Sequence, residues 1–356
     1  MCIRDRFAIS VVILIAHGYG LRSASYSSLM LIDLFFKGNF MSESYPLHLM
    51  NKKPNFYGFS GLDRAAHTRL DDEWFEKILQ QGNAKAILSW RSQSMIDITM
   101  PDKPSASILE LESLGEIIQK ADNIVFLGEK KGTPYLGVDL SSSDKGQFYN
   151  MIPEAAVFLD LREFGPLLER FEGSLLAYNR ALLFWHTKNK YCGVCGGKTH
   201  VTKAGHQINC NDSKCGQLVF PRTDPAVIML VHDGKRALLG RQKIWKLGMY
   251  STLAGFLEPG ETLEEAVARE VWEEANIDVS DVRYHSSQPW PFPGSIMLGF
   301  YAEAKSTFIR RNDEEVEDVQ WFEANDLRDF PAHGKSLPRT DSIARRLIED
   351  WLETMD

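Results

Sequence analysis

Residues 255–277 read GFLEPGETLEEAVAREVWEEANI, and the chemistry of the whole chain follows from how that stretch folds. A tight glycine-containing loop, Gly255 to Gly260, leads into a run with helical character. Thr262 and Glu265 stand at capping-box spacing at its start, a pairing that satisfies two backbone donors a helix would otherwise leave orphaned. Glu270, Glu273 and Glu274 then fall at i, i+3 and i+4, so a helix places all three carboxylates on one face. Like charges at that spacing repel, and the bland outcome is a solvated acidic face. The glycine loop, the small Ala266 one turn before Glu270 and Arg269 beside the cluster point instead to a bound cation. Carboxylates on a rigid face are hard ligands suited to Mg²⁺ or Mn²⁺, ions usually held by carboxylates together with substrate phosphates.

The stretch resembles the Nudix box, G-x5-E-x7-R-E-U-x-E-E-x-G-U with U aliphatic. Gly255, Glu261, Arg269, Glu270, Val271, Glu273, Glu274 and Ile277 occupy its fixed positions. Asn276 stands where the family has glycine. Asparagine is the next most tolerant residue of a left-handed helix end, so the metal site is expected to survive the change. The resemblance implies a Mg²⁺- or Mn²⁺-dependent hydrolase of a nucleoside diphosphate linked to another group. It also implies that Glu270 and Glu274 are metal ligands and that Glu273 is a ligand or helps activate water. Arg269 would orient the glutamates, with Glu261 a further candidate ligand or base and the carbonyl of Ala254 within reach of a metal. Glu315 matches the family's downstream metal ligand, with Glu314 and Glu317 as neighbouring options.

On either side of the box, AVIMLV (226–231) and KRALLGRQ (235–242) read as a hairpin about an Asp-Gly turn. SIMLGFYAEA (295–304) and VEDVQWFEA (316–324) read as strands, and SIARRLIEDWLETM (342–355) as a closing helix. Interleaved strands and helices predict an α/β sandwich over 222–356. Before it, Cys192 and Cys195 form a C-x2-C knuckle, and Cys210 and Cys215 follow as C-x4-C. Four thiolates at this spacing suit a structural Zn²⁺ with no open position for chemistry, in a ribbon over 189–221; His200 or His206 is the alternative fourth ligand. Further upstream, 41–188 is motif-poor and mixed α/β, a support domain. ADNIVFLGEKKGTPYLGVDL (121–140) reads as two strands about a Lys-Gly turn, and PLLERFEGSLLAYNRALLFWH (166–186) as a helix apolar on one side.

Residues 287–295, SQPWPFPGS, set three prolines around Trp290 and Phe292. Proline fixes φ and lacks a donor, so the segment reads as a stiff loop, neither helix nor central strand. The prolines are not spaced as a PxxP ligand. Together with the ribbon and an extra N-terminal domain, the segment resembles the substrate array SQPWPFPxS of the NADH pyrophosphatase branch. The resemblance covers 160–356 strongly and 41–160 weakly, and gives a Nudix α/β/α sandwich preceded by a zinc ribbon and an N-terminal Nudix-like domain. It implies hydrolysis of NADH, and less efficiently NAD⁺, to nicotinamide mononucleotide and AMP. The alternative is removal of NAD caps from RNA 5′ ends by the same chemistry. Gln288, Pro289, Trp290, Pro291, Phe292, Pro293, Gly294 and Ser295 are the expected substrate loop. Phe256 would stack on a base, Phe220 stands where relatives carry tyrosine, and Ala344 falls at a substrate-contacting backbone position. A homodimer is implied by the branch alone.

The 356 residues have an ordinary soluble composition and a net charge of −8, which argues against a general nucleic-acid or membrane-surface binder. MCIRDR at the start resembles a translated sequencing adapter, so residues 1–40 are expected to precede a true start at Met41. The competing reading is a signal segment, FAISVVILIA (7–16) behind Arg4 and Arg6, too short to span a bilayer. Setting Cys2 aside, the clustered thiols leave no disulfide framework and indicate a reducing compartment. The terminal ETMD is not a peroxisomal address, and a cytoplasmic location is expected.

Overall fold

The computed structural model describes residues 54–312 and 314–356. The expectations for residues 1–40, Met41 and Cys2 lie outside the described residues. All described residues belong to one compact unit.

The N-terminal part is built on a seven-stranded sheet. Its strands are β1 (Lys85–Trp90), β2 (Gln93–Asp97), β3 (Ser105–Ala106), β4 (Ile108–Glu110), β5 (Asn123–Lys130), β6 (Thr133–Asp139) and β7 (Ala156–Leu159). β1 and β6 pair in parallel, whereas β5 and β6 form the expected hairpin about Lys131 and Gly132. Helix α1 (Asp72–Gln81) is capped by Asp71, whose side chain accepts from the backbone of Glu73 and Trp74. Helix α2 (Arg170–Lys188) departs from the sequence reading of a single apolar side. Leu175, Leu176, Leu182 and Trp185 are buried, and so are Gly173, Ser174, Asn179 and His186. The cause is enclosure on several faces: Gly173 lies where any Cβ would strike the Phe56 ring at 2.6 Å, and His186 bonds the Gly205 carbonyl at 2.8 Å.

The ribbon forms a three-stranded sheet of β8 (Thr199–Thr202), β9 (Gln207–Cys210) and β10 (Leu218–Val219). Its Ile208 is buried in the same apolar cluster as Leu175 and Val125.

The C-terminal part is a six-stranded sheet ordered β14-β15-β11-β12-β16, with β13 paired to β11. Here β11 is Asp224–His232, β12 Arg236–Arg241, β13 Leu253–Phe256, β14 Val279–Trp290, β15 Ser295–Ala304 and β16 Asp318–Glu323. The alternation of β11 sends its two faces into different cores, as the two-residue repeat of a strand requires. Val227, Met229 and Val231 pack with Ala266, Val267, Val271 and Ala275 of helix α3 (Leu263–Ala275). Ile228 and Leu230 pack on the opposite side with Leu347, Ile348 and Trp351 of helix α4 (Ile343–Glu353). This is the expected sandwich, and each fully buried Leu, Ile or Val contributes about 1.5–3 kcal/mol to it.

The proline segment is less of a loop than its composition predicts. Ser287 to Trp290 complete β14 and pair with Leu298 to Ser295 of β15. A proline fits there because β14 is an edge strand and its missing donor breaks no ladder.

Candidate active site

Helix α3 starts with the expected reciprocal cap. Thr262 Oγ1 accepts from the Glu265 amide at 3.2 Å, and the Glu265 carboxylate accepts from the Thr262 amide at 2.7 Å. It ends at Asn276 in the left-handed conformation, φ 59°, where the box has glycine. Between these ends Glu270, Glu273 and Glu274 face an open cavity of about 820 Å³, also lined by Ala254, Gly255, Phe256, Arg269, Glu314 and Glu315.

Arg269 organises the acids. Its guanidinium grips Glu261 in a fork, Nε to Oε1 at 2.6 Å and Nη2 to Oε2 at 3.0 Å. It also donates to Glu270 at 2.8 Å, Glu273 at 2.9 Å and the Phe256 carbonyl at 3.0 Å. Glu261 is further held by the Glu258 amide at 2.9 Å and is not among the cavity-lining residues. The bond from Arg269 is the largest cause holding its carboxyl below the usual range.

Glu274 lies deepest. It is 6% exposed and its Oε2 has no hydrogen-bond partner. Burial, followed by the charges of Glu270, Glu315 and Glu273, pushes its pKa up to about 8. Burial also raises Glu270, against the opposing pull of Arg269. An orphaned buried carboxylate oxygen in a cavity lined by Glu270, Glu273 and Glu315 offers the hard oxygen donors that a divalent cation takes, so the chemistry of these residues fits one.

The sign of the linkage is fixed by that raised value. The folded chain keeps a proton on Glu274 that the unfolded chain has released above the ordinary carboxylate range. Stability of the cation-free protein is therefore greatest at the acid end of this window and falls as pH rises towards 8. Thermal melts without added cation, at about pH 6 and about pH 8.5, should show the drop, and Glu274→Gln should remove most of it.

Gly255 is required sterically. A Cβ there would sit 1.8 Å from Cδ and Oε1 of Glu270. Gly255→Ala is expected to displace that carboxylate and lower kcat/KM about 100-fold while circular dichroism stays native.

Of the three downstream acids, Glu317 is drawn away into an ion pair with Arg241. Glu314 and Glu315 line the cavity, and Glu315 is the one whose charge raises Glu270 and Glu274. Phe256 is 62% exposed at the cavity wall. Sequence reasoning missed Gln242, Lys243, Ile244, Glu258 and Asn312, which also line it. They come from loops with no spacing pattern, and the cationic Lys243 just after a strand was the one signal that could have found them.

The proline segment is placed elsewhere, and none of residues 287–295 is among those lining the cavity. The rings of Trp290 and Phe292 pack edge-to-face on each other at 5.0 Å and each on Tyr57 at 6.0 Å. The Arg162 and Arg180 guanidinium groups lie 5.0 and 5.3 Å from the Phe292 ring, and Arg180 donates to the Pro291 carbonyl at 2.9 Å. Both rings are half-buried and pack on the apolar cluster of the N-terminal part. Gln288 is 0% exposed, donates to the carbonyls of Phe56 (3.0 Å) and Asp341 (2.7 Å), and accepts from Ile343 N (2.7 Å). Its side-chain amide ties the N-terminal segment and α4 to β14. Pro289 and Pro293 are exposed, Pro291 and Ala344 are buried, Gly294 and Ser295 are half-buried, and Phe220 is 61% exposed on the ribbon's exit.

The four cysteines converge, with all Sγ atoms within 4.8 Å of one another. Cys192 and Cys215 are 3.7 Å apart and Cys195 and Cys210 3.4 Å, too far for disulfides. A tetrahedron with metal–sulfur bonds of about 2.3 Å has edges of about 3.8 Å, so the set fits a four-thiolate metal. The amides of Val194 and Gly197 donate to Cys192 and Cys195 at 3.4 Å, as a metal knuckle requires. Neither histidine joins them: His200 pairs with Asn211, and His206 with the Phe126 carbonyl at 2.7 Å.

Comparison with known proteins agrees with this geometry. A family model described as NUDIX domain matches residues 222–341, and one described as NADH pyrophosphatase-like rudimentary NUDIX domain matches 97–185. The chain is 43% identical over 222 residues to Nudix hydrolase 19, chloroplastic, of Arabidopsis thaliana, covering 58% of this chain and 50% of that one. It is 41% identical over 197 residues to the human NAD-capped RNA hydrolase NUDT12, covering 52% and 43%. With the NAD-capped RNA hydrolase NudC of Mycobacterium bovis it shares 36% identity over 279 residues, covering 70% and 86%. The matched region thus spans about half the length of the first two relatives and most of the third. The chain belongs to the Nudix hydrolase superfamily, in its NADH pyrophosphatase branch. Among the described residues no helix is long and apolar enough to cross a membrane.

Proposed function

We propose that the protein hydrolyses the central diphosphate of NAD-type dinucleotides, NADH foremost and also NAD⁺, to nicotinamide mononucleotide and AMP. The same bond cleavage would convert NAD-capped RNA to a 5′-monophosphate end. In either case one oxygen from water joins phosphorus, the bridging P–O bond breaks, and the bridging oxygen leaves on the other phosphate. The observation that carries the reading is the unpaired Glu274 Oε2 in a cavity lined by Glu270, Glu273 and Glu315. The relatives named as NAD-capped RNA hydrolases support NAD as the dinucleotide.

Glu270, Glu274, Glu315 and the Ala254 carbonyl would hold Mg²⁺ or Mn²⁺. Such an ion supplies charge neutralisation on the phosphoryl oxygens and orients a water. Glu273, the most exposed glutamate of the helix face, acts as ligand or as base towards that water. Arg269 is a positioning residue, and Glu261 positions Arg269. Phe256 offers an exposed face for a base, a contact worth about 1–3 kcal/mol, and Phe220 is a second ring of that kind. The segment 288–295 is the proposed substrate loop, its place fixed by the β14–β15 pairing. The cysteines hold structural Zn²⁺, which suits a reducing, cytoplasmic location, and the active unit is a homodimer, an assignment resting on the branch alone.

Comparing kcat/KM for NADH, NAD-capped RNA and ADP-ribose in Mn²⁺ tests the substrate class. The dinucleotide substrates are expected to exceed ADP-ribose by about tenfold or more. A preference for ADP-ribose would overturn the reading.

A further inference from the structure

The ribbon has a charge the rest of the chain does not share. Between 186 and 222 stand Lys188, Lys190, Lys198, Lys203, Lys214 and Arg222 against the single acid Asp212, in a protein of net charge −8. Arg222 is neutralised by Asp224, and Lys203 donates to the Leu70 carbonyl at 2.7 Å. Lys188, Lys190, Lys198 and Lys214 are exposed, and none has a carboxylate within ion-pair distance among the described residues, although the charge of Lys190 is felt by Asp139 and Lys188 lies 5.3 Å from the Phe184 ring. Four thiolates around a divalent ion leave two negative charges, which these lysines more than offset.

An exposed aromatic residue stands across from one of them. Tyr191 is 63% exposed, follows Lys190 directly, and lies opposite Lys198 in an antiparallel bridge. The Thr199 amide bonds the Lys190 carbonyl at 3.2 Å and the Asn211 amide bonds the Lys198 carbonyl at 2.9 Å, so this edge is held in register. Lys214 belongs to the second knuckle, whose Cys215 Sγ lies 3.7 Å from that of Cys192, next to Tyr191. Cations that track a backbone beside a ring on which bases stack are the two parts of a site for single-stranded nucleic acid. A lysine-rich surface on a chain that is acidic overall favours such binding at that place.

We propose that this ribbon edge binds the single-stranded body of an RNA whose 5′ end is the substrate, with phosphates on Lys188, Lys190, Lys198 and Lys214 and a base on Tyr191. The inference rests on the RNA arm of the proposed function, and it assigns to the ribbon a role beyond holding its metal.

The test is fluorescence anisotropy of the full-length, zinc-loaded protein with an uncapped single-stranded RNA of about 20 nucleotides, a length covering a site of this type. Wild type is expected to bind with a strong salt dependence, and the log–log slope should fall by about 0.7 for each phosphate that a variant leaves without its lysine. Lys190→Glu with Lys198→Glu should weaken binding at least about tenfold, and Tyr191→Ala by a comparable factor that salt does not change. The conservative pair Lys190→Arg with Lys198→Arg should retain it, and zinc content should be equal in all. NADH turnover, measured in parallel, reads the proposed function independently and should be the same for every variant. Absence of RNA binding in wild type, equal binding by the charge-reversed protein, or equally tight binding of duplex RNA would each overturn the inference. Loss of NADH turnover in wild type would instead count against the proposed function.

Discussion

Glu274→Gln is expected to lower kcat about 1,000-fold, equivalent to about 4 kcal/mol of transition-state stabilisation, while leaving the cation-free protein as stable as wild type or more so. The two effects have one cause. Glu274 is buried beside Glu270 with one oxygen unpaired, and the Glu315 charge is felt there as well. That arrangement is costly without a cation and useful only with one. Glutamine keeps the shape, removes the charge and relieves the repulsion, but it is a poor ligand for a hard cation. Activity and melting temperature should therefore move in opposite directions. A variant within threefold of wild-type kcat, or one that is inactive because it is unfolded, would not fit.

The second large effect is on stability. Trp290→Ala combined with Phe292→Ala should cost about 4 kcal/mol in urea unfolding, since truncating a buried aromatic typically costs about 3–5 kcal/mol and these two rings are half-buried. The edge-to-face packing on Tyr57 makes up about 0.5–1.5 kcal/mol of that cost per pair. The rings join the N-terminal core to the turn of the catalytic sheet, where Tyr57 also donates to Asp341 at 2.7 Å. If they instead stood ready to stack on a base, the melting temperature would hold and KM would rise. Measuring urea unfolding and KM on the same protein separates the two.

These cases mark where the sequence was legible. Helix α3, its capping box, its left-handed Asn276 and the common face of its glutamates all depend on residues a few positions apart, and each was read correctly. The cysteine knuckles were equally local, although rejecting His206 needed its partner, the Phe126 carbonyl, from the other sheet. Glu315 could not be separated from Glu317 by spacing; the distinction comes from Arg241 drawing Glu317 aside. Gln288 was unreadable for the same reason, because its partners Phe56, Asp341 and Ile343 lie far along the chain. An aromatic, proline-rich stretch carries the same letters whether its rings meet a ligand or the protein's own Tyr57. Helix α2 looked one-sided because its second and third neighbours, Phe56 and Gly205, are invisible to a periodicity count.

The central claim is that this glutamate face cleaves a dinucleotide at its diphosphate with the help of a divalent cation. Purified protein incubated with NADH and Mn²⁺, with products resolved by chromatography, tests it most directly. The expected result is AMP and reduced nicotinamide mononucleotide in equal amounts, with neither formed in the presence of a chelator. Release of free nicotinamide with ADP-ribose, or AMP formation indifferent to the chelator, would contradict it.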